Sequence, residues 1–224
     1  MSWLGIALWG GVVGLDATSF PQAMVSRPFV AGTVAGLLVG RPLAGAVLGA
    51  LLEVFALSQL PIGAARNPEP GTAAVATTAA YALGAPAEPE AAYVLLALAF
   101  GLLWERLGGA SVHALRRVNE AVAFDPSRRA PAGPRTVEAR HLAALTLDLT
   151  RASLVTVVGA WLGARALATF GPAWIAGPRL ATLIVVAVAA AVLGAALSVF
   201  GGWRRHGLAF GLGLAGGGLA LLLM

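Results

Sequence analysis

The sequence predicts an all-α integral membrane protein, a multi-span helical bundle of about seven to nine membrane segments with short or re-entrant helical hairpins in its N-terminal half. Three observations predict it. First, the 224 residues are 58% hydrophobic and only 11% charged, with a mean hydropathy of +0.83. Soluble domains carry roughly a quarter charged residues, and a chain this poor in charge cannot cover a globular surface with polar groups. Second, the apolar residues fall in runs separated by short breaks holding Gly, Pro or Arg. Third, seven of the fifteen arginines gather in one polar stretch, Glu105–His141. Such clustering is the signature of a cytoplasmic loop.

The first apolar run, Trp3–Leu15, ends at Asp16. No basic residue precedes it and no cleavage site follows, so it reads as a retained segment rather than a signal peptide. Phe29–Val39 and Leu43–Leu60 are separated only by Gly40-Arg41-Pro42. They form either a tight helical hairpin or a pair that enters and leaves by one face. Thr72–Ala85 and Ala91–Trp104 also fall short of the roughly 20 residues a spanning helix needs. Short, Gly/Pro-interrupted segments are what transporters use to bring backbone and polar groups to membrane depth. Gly32, Gly36 and Gly40, and then Gly45 and Gly49, recur every four residues, as do Gly213 and Gly217. That spacing makes a flat helical groove open to another backbone.

The Glu105–His141 stretch holds Arg106, Arg116, Arg117, Arg128, Arg129, Arg135 and Arg140, with Pro-rich loop signals from Asp125 to Pro134. Its first part, Val112–Val122, reads as an amphipathic helix on the membrane surface. Leu142–Phe170 and Leu180–Phe200 are long enough to span, the former interrupted by Asp148, Arg151 and Arg165, and Leu208–Met224 closes the series. The chain thus divides into an N-terminal membrane region (1–104), an Arg-rich cytoplasmic loop (105–141) and C-terminal membrane helices (142–224). All fifteen basic residues behind the formal charge of +5 are arginines, most of them lying between apolar runs, where topology explains them and nucleic-acid binding does not. Cysteine is absent, which excludes disulfides and thiolate metal sites. His113, His141 and His206 have no neighbours at ligand spacing, so no metal and no cofactor is expected.

Charges inside apolar segments are costly and are functional candidates by default. Asp16 ends the first segment, Glu53 stands alone within the third, and Glu69 follows Asn67-Pro68 just beyond it. Gln22 and Gln59 add amides. This inventory suits a sugar. Carboxylates accept pairs of hydroxyl hydrogens, while amides and Arg donate to ring and hydroxyl oxygens. Each candidate also has a plain structural reading. Asp16 then faces water at a helix end, Glu53 pairs with Arg27 or Arg66, and Asp148 pairs with Arg151 three residues on along one helix face.

The run Gly14-Leu15-Asp16, Ser26-Arg27-Pro28, Gly36, Gly40, Gly45, Leu52-Glu53, Ala56-Leu57, Ile62-Gly63-Ala64-Ala65 and Pro68-Glu69 resembles the N-terminal half of the IIC subunits of the mannose/fructose/sorbose family of the bacterial phosphotransferase system. Glu138–Leu142 and Leu147–Arg151 are similar to that family's return into the membrane. Arg41 departs from it, standing where the family usually has Asp or Asn. The resemblance implies a membrane permease that binds a hexose beside a IID subunit and carries it across the bacterial inner membrane. A cytoplasmic IIB protein then phosphorylates the sugar from its phosphohistidine, with IIA upstream of IIB. The chain itself is neither phosphorylated nor expected to carry a catalytic residue. By motif position the resemblance assigns Asp16, Arg27, Glu53 and Glu69 to the substrate region, with Gln22, Gln59 and Asn67 beside them. It implies a homo-oligomer of the IIC/IID unit in membrane lipid. Two alternatives stay open: a proton- or ion-coupled secondary transporter in which Asp16 and Glu53 couple, and a regulatory sugar sensor.

Overall fold

The computed structural model describes residues 2–57, 59, 67–87, 90–123, 133–173 and 177–199, with 201, 204, 205, 207, 208, 211, 212 and 215 beyond them. Arg66, the Ile62–Ala65 motif, residues 124–132, His206 and most of Leu208–Met224 lie outside the described residues. Among the described residues seven helices follow one another: α1 (Trp3–Thr18), α2 (Pro28–Leu38), α3 (Pro42–Ala56), α4 (Pro70–Gly84), α5 (Ala91–Ala123), α6 (Pro134–Phe170) and α7 (Pro178–Val199). Among the described residues none is in a strand. Five of these helices open on proline. Its fixed φ suits the first helical position, and its missing N–H is one the helix leaves unpaired there anyway.

The break at Gly40-Arg41 makes a tight hairpin of α2 and α3. Gly40 takes φ +75°, and the Arg41 N–H donates to the Gly36 carbonyl at 2.7 Å. The glycine stripes form its seam. A Cβ on Gly36 would lie 2.7 Å from the Arg41 carbonyl oxygen, and one on Gly49 2.6 Å from that of Pro28. Only hydrogen fits where two backbones approach this closely. The 11 and 15 residues of α2 and α3 rise about 17 and 23 Å, short of the ~30 Å hydrocarbon layer.

α4 is the centre of the bundle. Every residue from Gly71 to Tyr81 is buried, under α1, α2, α3, α5 and α6. Its Gly, Ala and Thr side chains are small enough for five helices to close around it. A helix with no polar face belongs in such a core. Arg41 closes the far end of α4. Its guanidinium donates to the Pro86 carbonyl at 2.6 Å and stands 6.0 Å from the Tyr81 ring centroid.

α5 and α6 are the two described helices long and apolar enough to cross a membrane; α1, α2, α3 and the Arg179–Ala190 part of α7 are shorter apolar helices. Large apolar side chains cover the outside: Leu37, Leu43, Leu103, Leu154 and Leu183 are each more than half exposed. Water does not tolerate such a surface and lipid does. The expected surface helix at Val112–Val122 is instead the continuation of α5, which runs unbroken from Ala91 to Ala123. Gly108-Gly109 does not interrupt it, because no proline removes a helical hydrogen bond there. The pair makes room for the chain before α4. A Cβ on Gly108 would meet Glu69 Oε2 at 3.0 Å, and one on Gly109 would collide with the Asn67 carbonyl.

Candidate functional site

The polar residues of the membrane region converge at one end of the bundle, where α1 and α3 end, α2 and α4 begin and α5 passes its Trp104. In α1, α3, α4 and α5 the apolar part of each helix lies to one side of this zone, a rise of about 20 Å in each. The polar zone therefore sits at one boundary of the apolar slab.

Asp16 holds the connection between α1 and α2. Its carboxylate accepts from the Ala23 N–H at 2.5 Å and the Ser26 N–H at 2.8 Å. On either side of Ala23, Gln22 and Met24 take φ of 61° and 64°, a left-handed conformation unfavourable to residues with a Cβ. A buried carboxylate with two backbone donors can hold such a loop in place. Glu53 has the parallel role one loop on. It forms an ion pair with Arg27 and accepts from the Phe29 N–H at 3.3 Å, tying the start of α2 to α3.

Glu69 enters a larger network. Both its oxygens accept from Arg151, at 2.8 and 2.9 Å. Arg151 also donates to Asp148 Oδ1 from Nε at 3.0 Å and to Ser111 Oγ at 2.9 Å. The other Asp148 oxygen accepts from Thr18 and, at 2.7 Å, from Ser19. Four helices, α1, α4, α5 and α6, are thus clamped through three charges that are almost wholly buried. Asp148 and Arg151 do pair along one helix face, but the pair is half of an inter-helix clamp. Glu105 is a further buried carboxylate. Oε1 accepts from Gln59 Nε2 at 3.0 Å, Oε2 has no hydrogen-bond partner, and its backbone carbonyl accepts from the Glu69 N–H at 2.9 Å.

These anchors surround a cavity of about 380 Å³, within the size range of small-molecule sites. Gln22, Ser26 and Arg27 line it from the first loop, Gln59 from the end of α3, and Asn67 and Glu69 from the approach to α4; His113 and Arg116 line it from α5. Of the seven residues singled out in the sequence, Gln22, Arg27, Gln59, Asn67 and Glu69 face this one cavity. Asp16 and Glu53 stand behind it, each fixing a segment whose residues line it. The sequence reading missed Glu105, His113 and Arg116, which it left in the polar loop. Arg151 and Asp148 carried the signal that finds them: charges inside an apolar run. Among the described residues no group of three His, Asp or Glu side chains is placed to hold a metal ion.

Comparisons with known proteins bear on this site. Residues 1–199 match the family described as the sorbose-specific IIC component of the phosphotransferase system. The sorbose-specific EIIC component of Lacticaseibacillus casei is 34% identical over 79 residues, which is 35% of this chain and 28% of that relative's length. A solved structure titled "Structure of membrane protein" superposes with a TM-score of 0.68 over 99% of this chain and 94% of the other. At 19% identity that likeness establishes the fold. With the match extending from the first helix to the end of α7, the chain belongs to the sorbose-type IIC components of the phosphotransferase system.

Proposed function

We propose that this protein is the permease subunit of a sugar phosphotransferase complex, binding a hexose in the cavity between the first loop, α3, α4 and α5. The observation that carries the reading is the cavity's lining. Amides of Gln22, Gln59 and Asn67, the Arg27 guanidinium and the Glu69 carboxylate meet around about 380 Å³. That set offers donors and acceptors at several points of a polyhydroxylated ring. Arg27, Gln22, Gln59 and Asn67 contact the sugar, while Asp16 and Glu53 hold the loop and Arg27 in position.

The sugar crosses the bacterial inner membrane by alternating access and is presented to a cytoplasmic IIB subunit, itself recharged by IIA. There a phosphohistidine P–N bond breaks and a P–O bond forms to a sugar hydroxyl, whose proton is released. The chain supplies binding and movement and takes no phosphoryl group. A IID-type membrane subunit completes the translocation unit, which assembles as a homo-oligomer in lipid. The seven described helices belong to a bundle of seven to nine membrane segments, with the α2–α3 hairpin entering and leaving by one face. Residues 1–104 then form the substrate-bearing region, 105–141 the cytoplasmic stretch and 142–224 the C-terminal membrane region. Family membership favours this reading over the ion-coupled transporter.

The test is uptake and phosphorylation of a hexose panel in cells expressing the chain with its partner subunits. Accumulation of a phosphorylated hexose that depends on this chain and on IIB is the expected result. Uptake of unmodified sugar driven by a proton gradient, with no requirement for IIB, would overturn it.

A further inference from the structure

Beyond Trp104, α5 carries Arg106, His113, Arg116, Arg117 and Glu120 at helical spacing. Residues three, four and seven apart share one face, and this face lines a second cavity of about 530 Å³, floored by Asn67. The three arginines outnumber its one carboxylate, leaving an excess of positive charge. Arg106 is paired with Glu105 through Nε alone, at a loose 3.6 Å, and its side chain is 70% exposed. Topology alone requires positive charge near the membrane. It does not require that charge along one helix stripe around a concavity. Nor does a neutral hexose require it.

The second cavity adjoins the first. Asn67, Pro68, His113 and Arg116 line both. A ligand with a neutral polyhydroxylated part and a dianionic end would span the two, its ring against the amides and its anion against the guanidiniums. Guanidinium forks match a tetrahedral phosphate through paired N–H donors. We propose that the α5 cavity receives the phosphoryl group of a hexose phosphate whose ring lies in the adjoining cavity. The inference rests on the permease reading above and adds a site for the phosphorylated product before its release. The shared chemistry, an anionic phosphate, also occurs in lipid headgroups as a diester and in free inorganic phosphate.

The experiment measures equilibrium binding to the full chain with its co-expressed partner subunits, in phosphatidylcholine nanodiscs. Mannose and sorbose, their phosphate esters and inorganic phosphate are separate probes. The ester of a bound sugar is expected to bind roughly tenfold or more tighter than the sugar itself, the effect of one or more charge-assisted hydrogen bonds. It should also bind tighter than inorganic phosphate. The double variant R106Q/R117Q, at positions outside the sugar cavity, should lose that advantage and keep the parent's affinity for free sugar. R106K/R117K should restore part of it. An ester that binds no tighter than its sugar overturns the inference and leaves the permease reading standing. So does inorganic phosphate that binds as tightly as the ester. Displacement of the ester when half the phosphatidylcholine is replaced by phosphatidylglycerol assigns the cavity to a lipid headgroup and also overturns it. Binding of neither sugar nor ester by the parent complex overturns both readings.

Discussion

Replacing Arg151 with Met tests whether the charged clamp holds the bundle together. The guanidinium makes two hydrogen bonds to Glu69 at 2.8 and 2.9 Å, two to Asp148 at 2.9 and 3.0 Å and one to Ser111 at 2.9 Å. Its side chain is 10% exposed, and those of Glu69 and Asp148 are 2% and 3% exposed. Methionine fills much of the volume but leaves both carboxylates without their cation. Asp148 retains the hydroxyls of Thr18 and Ser19, so the main cost falls on Glu69. Removing one partner of a buried ion pair costs about 3–5 kcal/mol, and for a chain of this size that lowers Tm by roughly 10 °C. The assay is fluorescence-detected size-exclusion chromatography after stepwise heating in mild detergent. R151K keeps the charge but not the planar fork and should fall between. The triple variant E69Q/D148N/R151M removes the stranded charges together and should recover most of the loss. A Tm for R151M within about 2 °C of the parent would refute the reasoning, since a buried charge cannot lose its partner at so small a cost. Failure of the triple variant to recover would shift the role of Arg151 from charge to packing.

Glu53→Gln keeps the side chain's shape but releases Arg27, which is half exposed. A loss of about 1 kcal/mol, discounted for solvent, corresponds to roughly fivefold weaker sugar binding. In a double-mutant cycle with Arg27→Gln the two effects should overlap; additive losses would mean that Glu53 touches the sugar itself. Gly45→Leu inserts a side chain against Gly32 and Gly36 and should destabilise the α2–α3 hairpin by about 1–3 kcal/mol, read as loss of monodisperse protein on chromatography; an unaffected profile would contradict the close seam. A cysteine at Val137, exposed at the start of α6 in this cysteine-free chain, should resist impermeant thiol reagents in intact cells and react after permeabilisation. Labelling from outside would invert the topology.

The local features were legible because their causes are local. Gly40 between two glycine-striped segments dictates a backbone-to-backbone hairpin whatever surrounds it. Pro28 and Pro42 stand at the breaks between apolar runs and open α2 and α3 through the φ of a single ring, whereas Pro134, read as part of a loop, opens α6. Which charge meets which was not legible. Glu69 and Arg151 are 82 positions apart and Thr18 and Asp148 are 130 apart, and no sequence spacing encodes those pairs. Asp148 with Arg151 therefore read as a local pair, and its three other helices were invisible. Glu105 read as the first residue of a polar loop because Arg106 follows it. Its burial depends on the chain at Asn67–Glu69 crossing α5 at Gly108-Gly109, a tertiary event. Val112–Val122, read as a separate surface helix, is instead part of the unbroken α5, and Gly108-Gly109 within that helix is the contact point for another segment.

A consistent division of labour follows from where the carboxylates lie. The amides and Arg27 that line the cavity stand on irregular backbone, the loop after α1, the end of α3 and the approach to α4, because non-helical chain can turn them inward from several directions at one depth. Irregular backbone at a membrane boundary needs hydrogen-bond partners that neither lipid nor a regular helix supplies. Asp16 supplies them to Ala23 and Ser26, Glu53 to Phe29, and the Glu105 carbonyl to Glu69. The acidic residues that stand out most in the sequence are thus the ones that make an irregular wall stable. The neutral amides and Arg27 face the cavity, and the one acidic side chain that lines it, Glu69, has both oxygens already engaged by Arg151. A neutral sugar is better served by such a wall than by bare carboxylates, since amides offer donors and acceptors together without a charge to desolvate on each cycle. On this argument, exchanging Gln22 or Gln59 should alter which sugar binds, whereas exchanging Asp16 should alter whether the site forms at all.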